Sequence, residues 1–215
     1  MKNKKVLIVV TGFVLVLTFL AGSAWYEKNE SQKLNDLANE NQNLLIRDHS
    51  LTMGPDDAKV VLVEFLDPEC EACRAFHPFV KQLMADYSGK IKLVVRYAPF
   101  HGSSKYVVRV LEAARLQGKY WETLDILFQY QPRWGSHHNP QVKLIWDYLP
   151  QANIDIEQIK QDMNLPQITK ILEQDIKDGA NLGVRQTPTF FINGKPLVRF
   201  GYEPLRAAIV SELKR

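Results

Sequence analysis

The sequence predicts an α/β fold: a mixed β-sheet covered by helices, interrupted in mid-chain by an all-helical insertion and preceded by an N-terminal hydrophobic helix. Three observations predict it. Residues 59–100 read as strand, helix, strand; residues 103–183 carry helical periodicity; and residues 189–200 carry a hairpin signature.

The chain opens "MKNKKVLIVVTGFVLVLTFLAGSAWYEK", three lysines followed by an uncharged stretch from Val6 to Tyr26. This is long enough to span a bilayer as a helix, and longer than the apolar part of a usual removable signal. Length favours an uncleaved membrane anchor, while the small residues Gly22 and Ala24 leave a cleaved signal open. In either case the lysines precede the span, which places the body of the protein outside the cytoplasm. Residues 1–26 are thus expected as anchor or signal. Residues 27–50, rich in Asn, Gln, Lys and Glu, read as a solvated polar spacer, with helical spacing around Leu34, Leu37, Leu44 and Leu45 that is well short of the sustained heptads of a coiled coil.

"KVVLVEFL" (59–66) is a continuous β-branched run suited to a central strand buried on both faces, broken by one acid, Glu64. After it, Ala72, Phe76, Phe79, Val80, Leu83 and Tyr87 recur at the spacing of one helical face, with Pro78 expected to kink the helix. "KIKLVVRYAPF" (90–100) is the second strand, and residues 51–102 form the first part of the sheet domain. Residues 103–183 contain several helical faces. Asn139-Pro140 opens one helix, Asp155 caps another, Pro166 opens a third, and Gly179 or Gly183 ends it. Trp121, Trp134 and Trp146 are expected in the core of this insertion. "TPTFFING" begins the second part, residues 184–215: a strand over 189–192, an Asn193-Gly194 turn, a partner strand over 196–200 with Pro196 at an edge, and a closing helix from Glu203-Pro204.

Composition excludes some functions. The formal charge of +3 arises from Lys2, Lys4 and Lys5, since the other 24 basic residues balance 24 acidic ones. No basic stripe remains to neutralise phosphates, so no nucleic-acid partner is expected. The two cysteines, Cys70 and Cys73, lie in "FLDPECEACRAFHPFV". A disulfide across so short a loop restricts the unfolded chain little, so a structural staple explains them poorly. A reversible redox couple and a thiolate metal clip remain.

For the couple, the turn at the start of a helix is the informative feature. Unpaired N–H groups and the positive end of the helix dipole favour a thiolate, making Cys70 the exposed nucleophile. Cys73, one turn further in, is the shielded thiol that resolves a mixed disulfide on Cys70. Glu64, among Leu62, Val63 and Phe65, is costly to bury charged and its pKa should rise, unless it pairs with Arg96 on the neighbouring strand.

The strand "VLVEF", the Cys-Glu-Ala-Cys turn, the proline five residues beyond Cys73, the helical insertion and "GVRQTPTFFING" together resemble the DsbA-like branch of the thioredoxin superfamily, from about residue 46 to the C-terminus. The resemblance implies a thioredoxin fold with an inserted helical subdomain and a periplasmic-type thiol–disulfide oxidoreductase. It implies a cis bond between Thr187 and Pro188 in a loop beside the thiols. Thr187 and Pro188, with Glu71 and Ala72 between the cysteines, then meet substrate, and Glu64 is the buried acid assisting proton transfer at the inner cysteine. It also implies cysteine-containing substrate proteins, a redox partner that recycles the pair, and no cofactor. Where the best-known oxidase of the family has Pro-His, this chain has Glu71-Ala72, preceded by Asp67 and Glu69. Carboxylates oppose a thiolate, so Cys70 is expected to have a higher pKa, and its disulfide to be less oxidising, than in that enzyme.

The expected activity is therefore exchange of a Cys70–Cys73 disulfide with substrate proteins, as oxidase or general exchange catalyst, with reductase or isomerase as alternatives of the same fold. The rival from another class is a Cu(I)-binding protein using the two thiolates. A cofactor-dependent transferase on the same scaffold would not need paired cysteines. His137-His138, in a polar turn, lacks the partners that complete a metal site, and His101 is a candidate for lining the thiol site.

Overall fold

The structure, a computed structural model, describes residues 2–136 and 139–215. The first helix, α1 (Lys2–Glu40), is long and apolar enough by length and composition to cross a membrane. Phe13, Leu15 and Phe19 on it are exposed, unlike the side chains of a core helix.

The sheet has five strands, β1 (Leu51–Met53), β2 (Val60–Leu66), β3 (Ile91–Tyr97), β4 (Thr189–Ile192) and β5 (Lys195–Pro196), in the order β1-β3-β2-β4-β5. β2 and β3 are parallel, joined through α2 (Glu71–Asp86); the other pairings are antiparallel. The mixed thioredoxin-type sheet thus keeps β2, the strand leading into the cysteines, at its centre. Helix α2 runs through Pro78 as one element. The second hairpin strand is shorter than expected, two residues instead of 196–200. Pro196 sits in it at the sheet edge, where its missing N–H costs no ladder bond. Asn193 and Gly194 both have positive φ, at 45° and 81°, as the tight turn between these strands requires.

Between β3 and β4 lie α3 (Ser104–Leu116), α4 (Tyr120–Trp134), α5 (Ile145–Tyr148), α6 (Ile156–Asp162) and α7 (Pro166–Asn181). The helix expected from Asn139-Pro140 is instead a short α-turn flanked by two 3-10 segments, Val142–Leu144 and Leu149–Ala152, with Pro150 just inside the second. Asp155 caps α6 by accepting from the Gln158 N–H. The chain closes with α8 (Tyr202–Lys214). Trp134 is fully buried, and Trp121 and Trp146 pack half-buried against the same core.

Strand alternation divides the interior in two. Leu62, Leu66, Leu93 and Val95 join α2, α8 and the inserted helices in the main core. Val63, Phe65, Val94 and Phe191 turn to the other face and meet Ala38, Leu45, Leu182 and Val184. The second core corrects the expectation of a solvated spacer over 27–50. The first helix continues to Glu40 and buries Ala38, and Gly183 just beyond α7 approaches Leu34 and Leu37 so closely that a Cβ there would crowd both. Leucines at helical spacing in a polar stretch found an apolar seam to cover.

That face also holds a buried ionic cluster. Arg96 donates to Asp175 at 2.9 Å and to Asp178 at 2.7 Å, and its other nitrogen donates to the Leu44 and Leu45 carbonyls. Arg47 donates to Asp178, and His49 meets Asp175 at 2.7 Å. The cluster fastens residues 44–49 to β3 and α7.

Candidate active site

β2 ends at Leu66 and the chain turns through Asp67, Pro68 and Glu69 to Cys70, the N-cap of α2. Cys73 follows one turn later on the buried face of the helix. Both are free thiols. The Cys70 Sγ lies 3.2 Å from the Thr187 carbonyl oxygen, and Cys73 accepts from the Asp67 N–H at 3.5 Å. The Thr187–Pro188 bond is cis, with Pro188 buried and Thr187 half-buried against the thiols. Glu71 is exposed on the first turn of α2 and Ala72 is half-buried.

Cys70 is less open than expected for the nucleophile. It is 8% exposed, against 0% for Cys73, because the loop carrying Thr187 covers it. The asymmetry between the two sulfurs is retained. A hydrogen bond from Cys73 lowers the Cys70 pKa to about 5, with further help from the Thr187 side chain and the backbone N–H groups of Cys73 and Ala72, against the opposing effect of burial. These are the unpaired donors of a helix start. Burial, followed by the neighbouring Cys70, pushes Cys73 well above the ordinary thiol value. At neutral pH the pair therefore holds one thiolate, on Cys70, and one thiol.

Glu64 is 3% exposed, and its Oε1 has no hydrogen-bond partner. Burial, reinforced by the charge on Cys70, raises its pKa to about 8, so the carboxyl is largely protonated at neutral pH. The alternative pairing with Arg96 does not form. Glu64 stands in register with Val95, and Arg96 with Phe65, which puts the acid and the cation on opposite faces of the sheet.

Three groups near the site take anchoring roles that the sequence did not indicate. Asp67, fully buried, accepts from the N–H groups of Glu69, Phe100 and His101, from the Ser104 hydroxyl, and from His101 Nδ1 at 2.8 Å. Glu69, also buried, accepts from the Ser103 N–H and the Ser104 hydroxyl, at the start of α3. These two carboxylates, expected to act on the thiolate, are engaged in holding the 100–104 loop. Burial alone would lower the His101 pKa, but the hydrogen bond and charge of Asp67 raise it overall. Gln131 of α4 donates to the carbonyls of Pro68 and Cys70 at 2.9 and 3.0 Å and accepts from Arg74 at 2.9 Å, clamping the cysteine turn to the insertion. Such partners lie far apart in sequence, and only folding joins them.

Among the described residues no group of three or more His, Cys, Asp or Glu side chains could hold a metal ion. His137-His138 lies outside the described residues.

A family model described as Thioredoxin matches residues 47–210. The chain is similar to a Na(+)/H(+) antiporter NhaA from Herminiimonas arsenicoxydans, 31% identical over 162 residues that cover 75% of this chain and 25% of that protein. It spans about a quarter of the length of the antiporters it matches. It is also similar to a probable disulfide bond formation protein D from Bacillus cereus, 26% identical over 226 residues, with all of both chains covered. Among solved structures, a thioredoxin-like oxidoreductase from Silicibacter pomeroyi DSS-3 is 26% identical with a TM-score of 0.68, covering 80% of this chain and 96% of that one. Oxidised BdbD from Bacillus subtilis, 24% identical with a TM-score of 0.69 over 77% of this chain and 94% of that one, shares the fold. With a matching family model over most of its length, a Cys-x-x-Cys turn at the head of α2 and a helical insertion splitting the sheet, this chain belongs to the thioredoxin superfamily, in its DsbA-like branch.

Proposed function

We propose that the protein is an extracytoplasmic thiol–disulfide oxidoreductase, tethered to the membrane by its N-terminal helix, that exchanges a Cys70–Cys73 disulfide with cysteine-containing proteins. The observation that carries this reading is the placement of the two sulfurs: Cys70 at the N-cap of α2, 3.2 Å from the carbonyl of the Thr187–cis-Pro188 loop, and Cys73 fully buried one turn behind it, an arrangement that pulls the first thiol down to about 5 and pushes the second well up. A thiolate that is a good leaving group and a buried thiol that can reclaim it are the two parts exchange chemistry requires.

The direction we favour is oxidation or general exchange. A Cys70 thiolate stabilised in the reduced protein makes the disulfide a better oxidant, and about 5 lies between the values of roughly 3.5 for a strongly oxidising relative and roughly 7 for a reducing one. That placement supports a couple less oxidising than the Pro-His enzyme. Substrate would meet Glu71 and Ala72, on the first turn of α2 beside Cys70, and the loop of Thr187 and Pro188, where the Thr187 carbonyl lies against the Cys70 sulfur. When a substrate thiolate attacks Cys70 in the disulfide, Cys73 departs as a thiolate and needs a proton, and Glu64, largely protonated at neutral pH, is the acid that supplies it. The name of the Bacillus cereus relative, a disulfide bond formation protein, agrees with this direction. Recycling requires a separate redox partner.

The test is a Cys73→Ser variant expressed with its N-terminal helix. It should accumulate mixed disulfides through Cys70 that dissolve on reduction and are absent from Cys70→Ser. Recovery of no covalent adducts, together with no catalysis of oxidative refolding by the wild type, would overturn the assignment.

A further inference from the structure

Glu64 is sealed inside the protein, yet an acid that gives up a proton in each cycle must be reloaded from solvent. The fold provides one route. A cavity of about 20 Å³ lies between β2, α2 and α4, lined by Glu64, Leu66, His77, Val80, Lys81 and Trp121 among others. That volume admits roughly one water, for which about 10–15 Å³ suffices. On its far side is an open cleft of about 570 Å³ bounded by Arg74, His77, Lys81 and Asp125. His77 and Lys81 line both spaces, the inner one shared with the unpartnered Glu64 carboxyl and the outer one facing solvent.

We propose that His77 is the proton relay of this active site, connecting Glu64 through a single water in the inner cavity to the solvent-filled cleft. This rests on the reading of Glu64 as the acid for Cys73. The step balances as follows. A substrate thiolate forms a bond to the Cys70 sulfur, the Cys70–Cys73 bond breaks, and the Cys73 thiolate takes the proton of the Glu64 carboxyl. His77, neutral with its Nε2–H on Asp125, takes up a proton from the cleft to become a transient imidazolium, which passes one proton through the water to the Glu64 carboxylate and returns to the neutral form. In the reverse direction each proton retraces its path.

Several contacts suit His77 to this task. Its Nε2 lies 2.6 Å from Asp125 of α4, which also accepts from Lys81 at 2.7 Å, and its ring packs against Phe128 at 5.1 Å. The ring is thereby held with one nitrogen engaged and the other available. Burial lowers its pKa, against the raising effect of Asp125, so the imidazole stays neutral at neutral pH and passes a proton without trapping it. Lys81 is the less suitable carrier, because its ammonium is already bound to Asp125. The titratable groups facing Glu64 are Cys70 and Cys73 of α2 and Tyr120 of α4. Tyr120 leads inward to Tyr97, whose pKa burial pushes well up, and through the Tyr97 hydroxyl to Glu112, which is raised by burial and pairs with Arg115 at 3.3 Å.

The experiment measures multiple-turnover oxidation of a cysteine-containing peptide by the full-length protein, recycled with glutathione disulfide, between pH 6 and 9. The proteins compared are wild type, Glu64→Gln, His77→Gln and the double variant. His77→Gln should be slowed about tenfold at neutral pH, less than the ~10²–10⁴ of a group acting directly on the reacting atom. It should regain rate with added imidazole, and it should keep the Cys70 pKa. In the Glu64→Gln background it should cost nothing further. Val80→Ile, which fills the cavity without touching a titratable group, should slow the same step. A wild-type rate in both His77→Gln and Val80→Ile, with Glu64→Gln still impaired, overturns the relay and leaves the role of Glu64 intact. Additive losses in the double variant also overturn the relay. A wild-type rate in Glu64→Gln itself removes both.

Discussion

Arg96 stands in register with Phe65 on the neighbouring strand, its guanidinium carbon 5.6 Å from the Phe65 ring centroid, on the face of the sheet away from Glu64. One residue of register thus keeps a cation from neutralising the buried acid. On its own face Arg96 is committed to Asp175 and Asp178. Replacing it with Met removes the fully buried cation shared by the two carboxylates, leaving Asp178 to Arg47 and Asp175 to His49. We expect Arg96→Met to lose about 3–5 kcal/mol of stability in denaturant titration, while the spectrum of the reduced thiols is unchanged, because the thiols lie on the other side of the sheet.

The two thiols should titrate far apart. Ultraviolet absorbance of the reduced protein should show one thiolate forming with a midpoint near about 5, absent in Cys70→Ser, while Cys73 stays protonated beyond the ordinary thiol range. Thr187→Val removes a side chain that lowers the Cys70 pKa, so its midpoint should move up. The same group dictates a stability trend. Its folded pKa is below its unfolded one, so the reduced protein gains stability as pH rises from about 5 towards 9, and loses it as pH falls through about 5.

Glu64 has the opposite sign. Its pKa is raised on folding from 4.5 to about 8, so its contribution is fully present below pH 4.5 and is lost as pH rises through about 8. In the oxidised protein, where Cys70 no longer titrates, Glu64→Gln should flatten this decline. The variant should exceed wild type in stability above pH 8 by at most roughly 4–5 kcal/mol, measured by denaturant titration at pH 5 and 8.5.

Gln131 holds the turn that carries Cys70. Gln131→Met takes the side-chain donor from the buried carbonyls of Pro68 and Cys70, of which the latter keeps the Arg74 N–H, and releases the Arg74 side chain, a loss of about 1–3 kcal/mol. Exchange with a peptide disulfide should slow even where the variant is fully folded, because the Cys70 sulfur is no longer held against the Thr187 loop. A variant with normal exchange rate would show that the clamp serves stability alone.

Much of the fold was legible because its signals are local. The β-branched run at 60–66, the helical spacing after Cys73, the Asp155 cap and the Asn193-Gly194 turn each depend on a few neighbouring residues, and each is present. The three-residue β1 was not foreseen, since it is too short for a period, and the 27–50 stretch was misread because its few leucines find their partners on Gly183 and Leu182, far along the chain. The anchoring roles of Asp67, Glu69 and Gln131 were invisible for the same reason: a lone polar residue in a sequence does not say which buried donors it will meet.

Taken alone, the amino-acid sequence determined that two thiols sit at the head of a helix after a central strand, that an acid interrupts that strand, and that a threonine-proline loop lies beside them in the family it resembles. Those are consequences of short-range spacing and side-chain type. The tertiary structure decided which face Glu64 occupies, how far the Thr187 loop covers Cys70, and that His77 lines both a small inner cavity and an open cleft. Strand register and long-range packing set these, and neither is written in any local stretch of the chain.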